Sequence, residues 1–395
     1  MNPPLRVAVL SPYHGGSHSS WAEGLAEHSR HDLELLTLPD RYWKWRMRGA
    51  AITLARRYAE LPPADVIVAT DMLDATTFLA LTRTPRPAAP LVLYMHENQF
   101  TYPLPKDRRH CRPRHQPGNE QFAFINLVSM LAADRVVFNS AFHRDELLAS
   151  LPEFLEATPD HHELDCVGQV RERSEVMYAG IRVDDLGDAG GTDGGATERS
   201  AAPHGEPPLV VWNHRWEYDK NPAAFFAALH SVASQGVGFR VALCGECPGS
   251  VPGVFEAGMR ELGDRVVHAG FLPRDEYAAL LRRSAVVVST AWHEFYGISV
   301  LEAIAAGAIP LLPRRLSYPE VLPERAHSHC LYEDSDELVL KLANVLRDPA
   351  GWRAATEGLA AEVARRHGWN QLAPAYDALL GEVVVRGSRD ASAER

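Results

Sequence analysis

Two glutamates eight residues apart bracket a glycine in HEFYGISVLEAIAAGAIP, residues 293–310. A carboxylate accepts hydrogen bonds from vicinal hydroxyls. A strand over 285–291 and a helix over 297–307, turned by Gly297, would set Glu294 beside the positive helix N-terminus and Glu302 within the helix. Phe295, Tyr296 and Ile298 fill the turn between them. A second group of charges follows a strand over 209–214, in NHRWEYDK. There Arg215 offers a planar fork and Lys220 a flexible ammonium, a pair suited to a diphosphate. The alternative is surface pairing with Glu217 and Asp219. Two carboxylates and two cations together describe a sugar-nucleotide pocket, with one glutamate on the hydroxyls of the transferred sugar and the other on the ribose.

The first strand runs into His14-Gly15-Gly16-Ser17-His18. Paired glycines let a ligand approach the backbone, and the following helix N-terminus, capped by Ser17 or Ser19, attracts anions. The other reading is a tight turn with no ligand. The pattern is not GxGxxG, so a dinucleotide site has little support. His96-Glu97-Asn98-Gln99 ends another strand, and His96 reads either as a group near a reacting sugar or as a satisfied core histidine.

Elements that position these residues are legible from period. Short β-branched runs at 6–12, 32–39, 64–70, 90–98, 135–141 and 175–181 alternate with helical patterns such as 118–134. The alternation restarts with 209–214, 239–245, 266–272, 285–291 and 308–313, and Asn221 or Asp219 can cap the helix that Pro222 opens. The fold class is α/β, two doubly wound Rossmann-like domains facing an inter-domain cleft. The expected bounds are 1–184, a Gly-rich linker at 185–208, 209–384, and a disordered tail at 385–395.

Composition narrows the class. With 395 residues, 46% of them hydrophobic, the chain can build two cores. It shows no secretory leader and no apolar run long enough for a membrane anchor. Cys111, Cys166, Cys244, Cys247 and Cys330 are too scattered for a disulfide framework, which fits a cytoplasmic location. Cys244 and Cys247 form a lone CxxC with no second pair at ligand spacing, so zinc is not expected there, and residues 160–163, DHHE, read as a polar loop or as a metal group, the loop being preferred. Nothing calls for an obligate protein partner. The net charge of −11 argues against a general nucleic-acid binder. Two local runs run against it. Residues 41–57 hold six basic residues and no acidic one, with Trp43, Lys44, Trp45 and Arg46 interleaving rings and cations. Residues 106–115 hold Lys106, Arg108, Arg109, Arg112 and Arg114. Both read as solvated surface or as an RNA groove.

Glu294-Phe295-Tyr296-Gly297 through Glu302 resembles the E-x7-E motif of retaining glycosyltransferases of family 4, which have the GT-B fold. SPYHGGSH, LPDRYWKWRMR, YMHENQFTYP, VVFNSAFHRD, WNHRWEYDKNP and TAWHEFYGISVLEAI are similar to the tRNA-queuosine α-mannosyltransferase family. The resemblance implies transfer of mannose from GDP-mannose to the cyclopentenediol of queuosine at the tRNA wobble base, by front-face attack and without a metal. It implies donor contacts at Gly15, Gly16, Arg215, Lys220, Glu294, Phe295, Tyr296, Gly297, Ile298 and Glu302. His96 would approach the sugar, and His14, His18, Trp43, Lys44, Trp45, Arg46, Asn98, Gln99, Arg108 and Arg109 would serve the acceptor. In this reading Arg215 and Lys220 stabilise the leaving diphosphate, which helps to deprotonate the acceptor hydroxyl.

Overall fold

A computed structural model describes residues 3–83, 89–103, 120–187, 206–247 and 249–393. The chain divides into two compact units, Met1–Gly180 together with Trp369–Arg395, and Ile181–Gly368.

The first unit is built on β1 (Arg6–His14), β2 (Asp32–Pro39), β3 (Val66–Thr70), β4 (Leu91–Met95), β5 (Arg135–Phe138) and β6 (Ser174–Val176). They form one parallel sheet in the order β2-β1-β3-β4-β5-β6. Every residue of β3 and β4 is buried, so VIVAT and LVLYM carry no polar alternation. Leu10, Leu54, Phe78, Leu93, Phe138 and Leu147 share its core. The sequence order reverses between β1 and β3, and loops leaving the carboxyl ends of those strands meet there.

The second unit carries β7 (Leu209–Trp212), β8 (Arg240–Cys244), β9 (Val266–Gly270), β10 (Val286–Val288), β11 (Ile309–Pro313) and β12 (Leu331–Tyr332). Its parallel order is β12-β11-β10-β7-β8-β9, with the reversal between β7 and β10. Trp212, Phe225, Phe255, Val286 and Leu342 lie in its core. Asn221 is the helix cap: its Oδ1 accepts from Ala224 N–H ahead of the helix Pro222–Ser234.

Three expectations need correction. The expected second domain, 209–384, loses its last helix, Trp369–Ala393, to the first unit. The cause is long-range and invisible in local sequence. Trp369 is buried in a socket that Gly24 and Gly180 leave open, where a Cβ on either glycine would collide with its indole. Tyr376 Oη accepts from Trp21 Nε1 at 3.1 Å and donates to the Tyr178 carbonyl at 3.0 Å, and Asp377 accepts from Ser29 Oγ and Arg30 N–H. The helix runs to Ala393, so the tail expected from 385 is helical up to there. The boundary expected at 184/185 falls at Gly180/Ile181 instead, because Leu186 is buried and Asp185 is ion-paired within the second unit. Residues 188–205 of the expected linker lie outside the described residues. Among the described residues no helix is long and apolar enough to cross a membrane.

Candidate active site

At the reversal point of the second unit, the loops after β7 and β10 are tied together by backbone. Trp292 N–H donates to the Asp219 carbonyl at 2.8 Å, and Thr290 Oγ1 donates to the Lys220 and Asn221 carbonyls at 3.0 and 2.9 Å. This zipper brings Lys220 to Glu294, Nζ to Oε2 at 3.3 Å, and to the His293 carbonyl at 2.8 Å. Asp219 lies on the other side of the ammonium at 3.2 Å. Gly297 makes the expected turn at φ +96°, and the helix Ile298–Ala305 begins behind it with no side-chain cap. Its first N–H groups therefore lack a capping side chain of their own.

Charge balance in this cluster is tight. Burial opposes ionisation of Glu294, yet the Lys220 ammonium, with His214 and His293, outweighs it and holds the carboxyl below its ordinary value. Burial likewise works against the Lys220 charge, but Glu294 and Asp219 overcome it and raise the ammonium above its usual value. Burial, then Lys220, pushes the imidazoles of His214 and His293 down to about 4, so both are neutral near pH 7. His214 Nε2 is buried and has no hydrogen-bond partner among the described residues. The β7 loop can pass this close because Gly245 has no side chain; a Cβ there would strike the His214 carbonyl.

Other expected residues divide between the two readings. Arg215, with a side chain 45% exposed, sits 3.3 Å from Glu217, the surface pairing foreseen for it. Phe295 and Tyr296 are buried: Phe295 packs edge-on against His293, and Tyr296 Oη is 2.7 Å from His367 Nδ1. Their side chains brace the turn, which leaves backbone to face a ligand. Glu302 lies in an ion pair with Arg274 at 2.5 Å. Trp212 and Trp216 are core residues, Trp216 stacked on Phe255 at 4.3 Å.

In the first unit β1 runs on to His14, so the glycine loop is shorter than expected. The helix Gly16–His28 is preceded by Gly15 with no side-chain cap; Ser19 Oγ donates back to the Gly16 carbonyl, so neither serine caps it. Gly15 is required because a Cβ would strike Asp40, whereas Gly16, at φ +52°, faces open space. His14 is shared between Ser11 Oγ at 3.1 Å and Glu23 at 3.3 Å. His18 lies over His96 with ring centroids 4.1 Å apart. Burial, with His18 and His143 nearby, holds the His96 imidazole well below its ordinary value, and its buried Nε2 has no hydrogen-bond partner among the described residues. The core-histidine reading is thus only half met. Its backbone N–H donates to Asp71 Oδ1 at 2.8 Å. Asn98 turns the loop through bonds from Phe100 and Thr101 N–H, and Gln99 Nε2 donates to Glu97 at 2.9 Å.

Comparison with known proteins assigns both units. Residues 6–181 match the family model described as tRNA-queuosine alpha-mannosyltransferase N-terminal, and residues 196–359 match Glycosyl transferases group 1. A curated relative from Drosophila melanogaster, named tRNA-queuosine alpha-mannosyltransferase, is 33% identical over 354 residues, 88% of each chain. The chain belongs to that family, and it is a glycosyltransferase. Its fold is GT-B. Sucrose-phosphate synthase from Thermosynechococcus elongatus superposes with a TM-score of 0.71 at 14% identity, over 97% of this chain and 100% of that one. A glycosyltransferase from Rickettsia africae gives 0.67 at 13%, over 97% and 99%.

In this glycosyltransferase the first basic run is a helix, Trp43–Glu60. The helical period separates neighbours that the linear sequence placed side by side. Trp43 packs on Phe122 at 5.2 Å and Arg48 lies over the same ring, whereas Trp45 is 62% exposed and folds back over Gly49. Lys44 lies 5.4 Å from the Trp43 ring, and Arg46 Nε donates to the Pro39 carbonyl. The second run, with Arg108 and Arg109, lies outside the described residues. Sequence reasoning gave no role to His214, His293 or Arg274, and it read Asp219 only as a surface partner or a helix cap. His214, His293 and Asp219 lay within quoted stretches, and a polar group in the loop that follows a strand's carboxyl end was the available signal. Among the described residues no group of three or more His, Cys, Asp or Glu side chains is arranged to hold a metal ion.

Proposed function

We propose that this glycosyltransferase moves mannose from GDP-mannose to queuosine in tRNA with retention at the anomeric carbon, without a divalent metal and in the cytoplasm. The observation that carries the reading is the ion pair of buried Lys220 with the partly buried Glu294 at the reversal point of the second unit, beside a helix N-terminus without a side-chain cap. Arg215 and Lys220 would take the diphosphate in place of a metal ion, Glu294 the sugar hydroxyls and Glu302 the ribose. Backbone of Gly297 and Ile298 would complete the anion site. Donor binding would exchange the Arg215–Glu217 and Lys220–Asp219 contacts for phosphate oxygens.

In the transfer, the bond from the anomeric carbon to the phosphate oxygen breaks, and its electron pair leaves with the diphosphate. The acceptor oxygen bonds to the same carbon on the same face and gives its proton to a diphosphate oxygen. Lys220 and Arg215 stabilise the charge that develops on that leaving group. In the first unit, Gly15 and Gly16 would contact the donor, His14, His18, Asn98 and Gln99 serve the acceptor, and His96, through a buried Nε2 with no hydrogen-bond partner among the described residues, is the group we expect to hydrogen-bond the reacting substrates. Trp45, Lys44, Trp43 and Arg46 supply stacking and phosphate contacts for RNA. The name and extent of the Drosophila melanogaster relative support the mannose and queuosine parts of this reading.

The test is incubation of queuosine-containing tRNA with GDP-mannose, UDP-glucose, UDP-galactose and ADP-glucose, followed by nucleoside mass spectrometry. A hexose-sized mass gain on queuosine with GDP-mannose alone is expected. A gain only with another donor would refute the donor assignment, and no gain with any would refute the acceptor.

A further inference from the structure

The first residue of the helix Arg274–Arg283 is a cation, at the end where the helix dipole favours anions. Asp275 and Glu276 in the same turn obey that preference. Arg274 is held there by something else. Its guanidinium faces Asp185 with two bonds, Nε to Oδ2 at 2.6 Å and Nη2 to Oδ1 at 2.8 Å. Nη2 also donates to the Arg182 carbonyl at 3.1 Å, and Nη1 to Glu302 Oε1 at 2.5 Å. Asp185 thus locks the fork, and the fork holds Glu302. A lysine cannot reproduce this, because a point charge has no fixed second and third donor.

Glu302 needs such a partner. It is buried within the helix Ile298–Ala305, and burial pushes its carboxyl above the ordinary value against the pull of Arg274. The groups facing it are Arg274, Asp185, Arg182 and Tyr277. The last of these is held by Asn213 Nδ2 at 2.8 Å, which also donates to the Ser299 carbonyl at 2.6 Å. Fixing Oε1 on Nη1 fixes the direction of the second carboxylate oxygen, and the nearby positive charge favours the ionised acceptor over a protonated acid.

We propose that Arg274, itself locked by Asp185, is a positioning residue that keeps Glu302 ionised and aimed at the ribose hydroxyls of the donor nucleotide. This rests on the reading of Glu302 as the ribose ligand. Arg274 touches no reacting atom in this account; it acts through Glu302.

The test is calorimetric titration of the full chain with GDP and UDP, each against its 2′,3′-dideoxy counterpart. The wild type is expected to prefer the ribose form of the nucleotide it binds by at least about tenfold, as for hydrogen bonds to a charged acceptor. Glu302→Gln should lose that preference. Arg274→Met should lose it at pH 7 while binding the dideoxy form as the wild type does, and should regain it as pH rises and Glu302 ionises. Arg274→Lys should keep part of it, and Arg274→Met with Glu302→Gln should lose no more than either alone. If Arg274→Met keeps the preference that Glu302→Gln loses, the positioning role is overturned and the ribose reading stands. If Arg274→Met also loses the dideoxy nucleotide, Arg274 merely supports the unit, and the proposal falls. If the wild type binds neither ribose form better than its dideoxy counterpart, the ribose reading falls and this inference with it.

Discussion

The two sheet reversal points of the molecule use opposite electrostatics. At that of the second unit, cations sit between carboxylates: Lys220 between Asp219 and Glu294, Arg274 between Asp185 and Glu302. In the first unit the corresponding place holds rings. His18 lies on His96, which meets Trp21 and Tyr94 edge-on, and burial together with Glu97 raises the Asp71 carboxyl well above its usual value. A ligand that brings two negative charges can replace carboxylates around a lysine at little cost, since it substitutes one anion for another. A ligand that brings hydroxyls and a flat ring needs neutral donors and apolar walls. The contrast fits a nucleotide-diphosphate side and an acceptor side, and it can be broken at several points.

The largest effect is expected from Lys220→Ala. It removes transfer and leaves Asp219 and Glu294 buried without a counter-charge, which costs about 3–5 kcal/mol of stability. A calorimetric melt and a transfer assay read both losses together. Arg215→Ala, which removes a side chain nearly half exposed to solvent, should lower kcat by about 10²–10³ with little change in the melt. Equal damage to stability by the two variants would erase the distinction between a buried and a half-exposed cation.

The histidines give a pH test on both sides. His214 and His293 stand at about 4 and His96 also lies well below 6.5 in the folded chain, burial being the first cause in each. The unfolded chain therefore takes up protons that the native one refuses below about pH 6.5, and stability falls from there towards pH 4. His214→Gln should flatten that slope in melts recorded at steps between pH 7 and 4. An unchanged slope would show that His214 is not among the groups responsible.

A smaller effect belongs to the helix Trp43–Glu60. Trp45→Ala should raise KM for tRNA by the weight of one stacked ring, about 1–3 kcal/mol, and leave kcat near its wild-type value. Lys44→Ala should instead reduce the salt dependence of tRNA affinity by one phosphate contact, a change in slope of about 0.7–0.9.

How far the sequence disclosed these features depends on range. Ten of the eleven expected strands lie where the apolar runs put them; the run at 175–181 is only the short strand Ser174–Val176, and Leu331–Tyr332 was not expected; Gly297, Glu294 and Lys220 were legible because the turn and its charges follow closely on strand ends. Arg274 was not, because nothing at its own position says that Asp185, 89 residues earlier, and Glu302, 28 residues later, converge on it. Trp369 is the same lesson in apolar form: its anchors, Gly24 and Gly180, are remote small residues whose meaning lies in the space they leave. The Trp43–Arg46 run shows a different limit: residue types were legible but not their faces, since the helix turns Trp43 onto Phe122 and leaves Trp45 exposed.

The central claim is that Lys220 and Glu294 together receive the donor's diphosphate and sugar. A crystal structure of the full chain with GDP-mannose tests it most directly. The account predicts phosphate oxygens within hydrogen-bond reach of Lys220 Nζ and the Arg215 guanidinium, and a mannose hydroxyl on the Glu294 carboxylate. A diphosphate bound away from Lys220, with the Lys220–Glu294 pair undisturbed, would contradict it.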